Sequence, residues 1–341
     1  MSPHPKIRFF AITFFLILAS STFALSMQGK LSAQTHPIAF GVDLNFYQES
    51  LRGKYKQALD AVNRLGAGWI RTGFGFAKSQ IEPSPGVWNF KTADKVVAAL
   101  QRHHLNLLAE IGGSRPPRDP EAFAKYAGKL ASHFKGKIAA YKIFNEPQIH
   151  PGWTPHLYAQ VFALASQAIH QANPKAIVMA GGFWSAPRAN RFQAKLFSDP
   201  DYPIGKYLDV FNIHMNRTSP RSTARWLKMA QAFLRKQNLH IPIWVDEFAY
   251  PSKSEVQWVP GLRSGKKSQA EYFKEILSVM TSDPDVQAIF CTYLIDEPLA
   301  RRPEERWLGI MDANFRPKPA FQVYRDFILK NQEGRKGSCC R

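Results

Sequence analysis

Cysteine is scarce in this chain: of three in 341 residues only Cys291 lies within the body, while Cys339 and Cys340 are neighbours near the C-terminus. Adjacent Cα atoms lie about 3.8 Å apart, closer than an unstrained disulfide usually allows, so no structural disulfide is expected. The ten histidines fall into no ligand spacing such as His-Glu-x-x-His, which removes the usual signature of a zinc hydrolase. Zinc-finger spacings, RNA-binding signatures and recognition-helix patterns are missing as well, so nucleic acid is not expected as a partner. No Gly-rich phosphate loop follows the first apolar run, and neither a metal nor an organic cofactor is expected. Acidic residues are the minority charge, 26 against 45 Lys and Arg, for a net charge of +19. Beyond the N-terminal segment no stretch is apolar enough to span a membrane.

Lys6 and Arg8 precede the apolar run FFAITFFLILA (9–19), and SSTFALS supplies small residues at Thr22, Ala24 and Ser26. A basic start, a short apolar core and a small-residue site describe a secretory signal peptide over residues 1–26, cleaved after about Ala24 or Ser26. The competing reading is an uncleaved anchor, which would be the chain's one contact with a membrane. The expected location is therefore secreted or periplasmic. Residues 27–330 form the body and 331–341 a basic tail. An exported protein this basic is suited to meeting an anionic polymer or surface.

Eight short apolar runs recur through the body, at 38–45, 68–74, 105–111, 138–144, 176–182, 208–214, 241–247 and 286–294. Their spacing of roughly 30 to 45 residues suits a strand plus a crossover helix. The runs are continuous rather than alternating, which implies strands covered on both faces, as in a parallel sheet. Between them lie helix signals. Leu51, Tyr55, Leu59, Val62 and Leu65 make a stripe that closes at Gly66, Thr154-Pro155 opens a second stripe that Asn173-Pro174 stops, and Ser268 with Glu271 reads as a capping box. Eight βα units in one run without a linker make the expected fold class α/β, a single (β/α)₈ barrel. An open doubly wound sheet is the runner-up.

In such a barrel the active site lies at the C-terminal ends of the strands. Polar residues there are Asp43 and Asn45, Arg71, Glu110, Asn145 and Glu146, His214 and Asn216, and Asp246 and Glu247. Aromatic residues falling after strand ends are Trp153, Trp184, Tyr250, Trp258, Tyr293 and Trp307. Ring faces pack against the apolar faces of pyranoses, and Trp184 and Tyr293 are the first candidates for that role.

Asn145-Glu146-Pro147 ending the fourth run, followed about 100 residues later by IWVDEFAYP (243–251) around the end of the seventh, resembles the retaining glycoside hydrolases of clan A. Within that clan, GAGWIRTGFGFAKSQIEPSPGVWNF (66–90), KIFNEPQIHPGW (142–153), LDVFNIHMN (208–216) and WLGIMDANFRPKPAFQVYRDF (307–327) are most similar to the β-xylosidase and α-L-iduronidase family and related exopolysaccharide-degrading endo-glycosidases. The resemblance covers nearly the whole mature chain. It implies Glu146 as general acid and base, Asn145 beside it on a sugar hydroxyl, and Glu247 as nucleophile, with Arg71 and His214 near it. The chemistry asks for the same pair: glycoside cleavage needs one protonated carboxyl to help the leaving oxygen depart and one ionised carboxyl to attack. A cationic Arg71 would keep Glu247 charged. Glu110 either touches substrate or pairs with a basic loop residue.

The chain departs from many of these relatives at three places. Asn216 stands where they carry a Tyr two residues after the His, Tyr293 where a Trp ends the eighth strand, and Asp246 where a Thr or Ser precedes the nucleophile. The expected function is a retaining O-glycoside hydrolase acting on a polysaccharide or oligosaccharide, with the charge pointing to an anionic one. The rival is a catalytically silent carbohydrate-binding barrel, since fold alone does not dictate function. Two carboxyls converging in an open cleft separate the first from the second.

Overall fold

A computed structural model describes residues 37–44, 52–183, 187–253 and 265–338. The expected signal segment 1–26 and the Cys339-Cys340 pair lie outside these residues. Eight strands occur in the order foreseen: β1 (Ala39–Asp43), β2 (Trp69–Thr72), β3 (Asn106–Ile111), β4 (Ala140–Ile143), β5 (Ile177–Met179), β6 (Phe211–His214), β7 (Ile243–Phe248) and β8 (Val286–Cys291). Helices fill the intervals: α1 (Tyr55–Leu65), α2 (Lys78–Ile81), α3 (Lys91–Arg102), α4 (Pro120–His133), α5 (Pro155–Ala172), α6 (Pro187–Phe197), α7 (Pro220–Lys236), α8 (Lys266–Thr281) and α9 (Pro319–Ser338). None of these helices is long and apolar enough to cross a membrane.

All strand pairings are parallel, in the spatial order β5-β4-β3-β2-β1-β8-β7-β6. β5 and β6 stand at the two ends of that order, and short links join them. Phe183 bridges to Ile213, the Asp209 amide donates to the Val178 carbonyl at 3.1 Å, and Asn212 Nδ2 donates to the Ala180 carbonyl at 2.9 Å. The sheet thereby closes into a single (β/α)₈ barrel.

The local signals act as their chemistry requires. Gly66 takes φ 83° behind α1 and its amide returns to the Asn63 and Val62 carbonyls, a left-handed cap that glycine adopts without a Cβ penalty. Thr154 accepts from the Leu157 amide at 3.1 Å in front of Pro155, satisfying a donor that the first turn leaves over. The capping box at Ser268 is corrected: α8 already begins at Lys266 behind Gly265, so Ser268 sits inside the first turn. Asn331, on α9, ties that helix to the first strand by exchanging hydrogen bonds with both backbone groups of Ile38.

Two apolar layers result. The larger lies between sheet and helices and takes the outward residues of every strand, such as Tyr141, Ile143, Ile213, Val245 and Ile289. The smaller fills the barrel itself with Leu108, Ala140, Met179, Val210, Trp244, Ala288 and Phe290. Trp244 meets Trp69 edge-on at 5.3 Å and lies over Phe290 at 6.0 Å. The inward position 41 on β1 holds glycine, where a Cβ would overlap the Phe290 ring. Above this plug, toward the strand C-termini, the inward positions turn polar.

Candidate active site

β7 supplies two of the polar groups through an irregularity. Val245 pairs with Ile213 and Glu247 with His214, while on the other side Val245 pairs with Ile289 and Phe248 with Cys291. Between these pairs β7 carries one residue more than each neighbour, a bulge of the kind that re-aims side chains beside active sites. Period-two alternation would send Asp246 and Glu247 to opposite faces; with the bulge both point into the barrel.

On β4 the chain leaves the sheet through two left-handed residues, Phe144 at φ 61° and Glu146 at φ 47°, ψ 52°. Such conformations cost on the order of 1 kcal/mol or more for residues with a Cβ, and the surroundings hold them. The Glu146 amide donates to the Gly181 carbonyl at 2.6 Å, and the buried Tyr158 hydroxyl links the Ile143 carbonyl to the Gly181 amide. Glu146 is delivered against His214 of β6, whose Nδ1 lies 2.5 Å from Glu146 Oε1 and 3.4 Å from Glu247 Oε2. Gly182, at φ 88°, leaves the space that the His214 ring occupies. One oxygen each of Glu146 and Glu247 and a nitrogen of His214 lie within 4.8 Å of one another.

Arg71 organises the opposite side. Its Nη1 contacts Glu247 Oε1 at 2.6 Å, Asp43 Oδ2 at 3.3 Å and the Asp246 carbonyl at 3.2 Å, and its Nη2 donates to Glu110 Oε2 at 2.7 Å and Asn145 Oδ1 at 3.2 Å. Glu110 therefore pairs with a strand residue rather than with a basic loop. It also remains partly exposed, lining with Asp43, Arg71, Asn145, Glu247 and Tyr293 a cavity of about 400 Å³ that His150 and the stretch 112–114 also border. Asn216 donates to Glu247 Oε2 at 2.9 Å, so both oxygens of that carboxylate are held. His156, Asp199 and Asp201 form a second cluster able to offer three ligand atoms, with His156 already bonded to Asp199 at 2.9 Å.

Charge and burial set the acidities. Burial works against the Glu247 carboxylate, yet the cations around it, Arg71 and Lys142 among them, outweigh that and hold it below its ordinary value. Burial lifts Asp43 to about 7 despite Arg71. Asp246 is fully buried as well, but the Lys142 ammonium beside it keeps it far below the usual carboxylate range. Arg71, desolvated, is raised by Glu247, Asp43 and Glu110.

The structure thus gathers Glu146, Glu247, Asn145, Arg71, His214 and Tyr293 at one mouth, together with Glu110, Asp43, Asn216 and Asp246. Trp184, Trp258 and Asn45 lie outside the described residues. Tyr250 is buried and stacked on Tyr272 at 4.5 Å, and Trp153 packs edge-on against Phe144 while donating to the Ser114 carbonyl. Both are scaffold to the mouth. Trp307 lies under Lys253. Lys142 was missed: fully buried on β4, it contacts Asp246 at 2.5 Å and His214 Nε2 at 3.0 Å. Its signal was a lone cation inside the apolar run IAAYKIF, a place where an ammonium needs a partner.

The model of the cellulase family, glycosyl hydrolase family 5, matches residues 31–291, more than three quarters of the chain. No curated protein matches. Among solved structures, a family 39 glycoside hydrolase from Bacteroides cellulosilyticus WH2 superposes with a TM-score of 0.67 at 15% identity over 87% of this chain, which spans 64% of that enzyme's length. Xylanase 10B from Thermotoga maritima gives 0.63 at 17% identity, covering 89% of this chain and 98% of its own. GH5_18 from Streptomyces cattleya, solved with GlcNAc, gives 0.67 at 16% identity, covering 88% and 81%. At such identities these structures share the fold.

Proposed function

We propose that this chain, which belongs to glycosyl hydrolase family 5, is a retaining O-glycosidase with Glu247 as nucleophile and Glu146 as general acid and base. The observation that carries the reading is the approach of the two carboxyls, within 4.8 Å by their nearest oxygens, beside an open cavity. Retaining enzymes hold the pair about 5 to 5.5 Å apart, whereas inverting enzymes need a wider gap that admits a water. Glu247, ionised and gripped by Arg71 and Asn216, attacks the anomeric carbon as Glu146 delivers a proton to the departing oxygen. Water then releases the glycosyl-enzyme ester with Glu146 as base. Asn145 and Arg71 flank the sugar and Tyr293 walls the cavity. The approach of the two carboxyls, with Glu247 lining the cavity, speaks against a silent binding barrel.

The substrate belongs to the same reading: a polysaccharide or oligosaccharide, with the likeness to β-xylosidases, α-L-iduronidases and exopolysaccharide-degrading enzymes and the +19 charge pointing to an anionic polymer or matrix outside the cytoplasm. The mature chain then begins near Leu25 or Met27, which N-terminal sequencing checks. Leaving-group dependence tests the chemistry. Glu146→Ala is expected to lose about 10² to 10⁴-fold on a natural linkage and far less on an activated aryl glycoside, whose leaving group departs unprotonated. Glu247→Ala loses both. Wild-type-like hydrolysis by Glu247→Ala would sink the assignment.

A further inference from the structure

We propose that Lys142 is a positioning residue that holds His214 as the neutral tautomer protonated on Nδ1, and thereby assigns the acid proton of Glu146 to Oε2. The proposal rests on the acid and base role of Glu146. Lys142 is fully buried in β4 and its ammonium meets Asp246 Oδ2 at 2.5 Å and His214 Nε2 at 3.0 Å. An ammonium has only protons to offer, so the Nε2 it meets must present a bare lone pair. The single imidazole proton then sits on Nδ1, 2.5 Å from Glu146 Oε1. An Oε1 that accepts this bond is the carbonyl-like oxygen of the protonated acid, and the hydroxyl proton belongs to Oε2.

Charge alone argues the other way. His214 is faced by Asp246 and Glu247 from β7 and by Glu146 behind β4, with Asp43, Arg71 and Glu110 of β1, β2 and β3 in the surrounding ring. Burial and Lys142 push its pKa down, but Glu247, Asp246 and Glu146 draw it up to about 9, which would make an imidazolium at neutral pH. A second proton on Nε2 would aim at the Lys142 ammonium, with Asp246 Oδ2 at 3.5 Å, beyond a good hydrogen bond. The lysine contact therefore decides. Replacing Lys142 by methionine removes the donor and strips Asp246 of its partner. His214 then takes up a proton toward Asp246, and the cluster keeps its net charge.

The test is the [¹⁵N]histidine spectrum of the full chain at pH 7, with His214 assigned by the signals lost in His214→Asn. Wild type is expected to show one protonated and one bare ring nitrogen, with the proton on Nδ1. Lys142→Gln, whose amide still donates to Nε2, keeps that pattern, and Lys142→Met shows both nitrogens protonated. Activity on a natural linkage follows. In Lys142→Met the basic limb of the kcat/KM profile moves down by about one pH unit or more, because the imidazolium eases loss of the Glu146 proton; Lys142→Gln keeps the wild-type limb. An imidazolium on wild-type His214, or equal effects of the two substitutions, overturns the proposal, and the wild-type spectrum decides even if Lys142→Met fails to fold. The expected tautomer in a wild type that hydrolyses no glycoside would overturn the catalytic reading of Glu146 and leave the tautomer standing.

Discussion

The barrel interior has two halves built on the same strands by opposite rules. The lower half is a plug of Leu108, Ala140, Met179, Val210, Trp244, Ala288 and Phe290, held by shape and by exclusion of water. Further along, the inward positions of those strands carry Glu110, Lys142, His214 and, across the bulge, Asp246 and Glu247, held by ion pairs and hydrogen bonds. Removing a side chain from the plug leaves a cavity. Removing one from the mouth leaves a buried partner, unless others share it, and Arg71 has several.

The contrast can be broken most directly at Glu247. Glu247→Ala is expected to lower kcat/KM by at least about 10⁴-fold, while Asp43, Glu110 and Asn145 remain on Arg71 and Tm moves by only a few degrees. A collapse in Tm would show that the mouth carries stability too. Trp244→Ala is the mirror experiment. It opens the plug between Trp69 and Phe290 and should destabilise by about 3 to 5 kcal/mol, read by denaturant unfolding, with kcat unchanged in the molecules that remain folded.

Asp43 sharpens the comparison by pH. Its carboxyl titrates near 3.8 when unfolded and near 7 in the folded barrel, so the folded state binds the extra proton between those values. The sign follows: this contribution to stability is present below about pH 4, falls as pH rises, and is gone above about 7, worth at most about 4 kcal/mol. Asp43→Asn should remove the dependence, so its Tm relative to wild type climbs from pH 5 to pH 8; a constant difference would count against a protonated Asp43. The smallest effect concerns the surface rather than the interior. If the +19 charge meets an acidic polysaccharide through exposed lysines and arginines, retention on that polymer weakens as the Debye length falls from about 10 Å at 0.1 M salt to about 3 Å at 1 M. Retention unchanged in molar salt would assign recognition to the mouth instead.

Much of this was legible in the amino-acid sequence. The eight apolar runs marked eight strands because a strand covered on both faces must be apolar throughout, and Asn145-Glu146-Pro147 and Asp246-Glu247 marked strand ends because carboxylates there interrupt an otherwise apolar run. The Ser268 box misled because a Ser and a Glu three apart satisfy the pattern wherever they stand in a first turn. Lys142 went unread because its meaning lay in Asp246, more than 100 residues away.

By itself, then, the sequence determined the barrel, the order of its strands and which polar residues crown them, since burial period and turn chemistry are local properties. Only the tertiary structure decided which of those residues meet. The pairing of β7 with β6 and β8 inserts one extra residue, and that bulge turns neighbours that alternation would separate toward the same interior, Glu247 to Arg71 and Asp246 to Lys142.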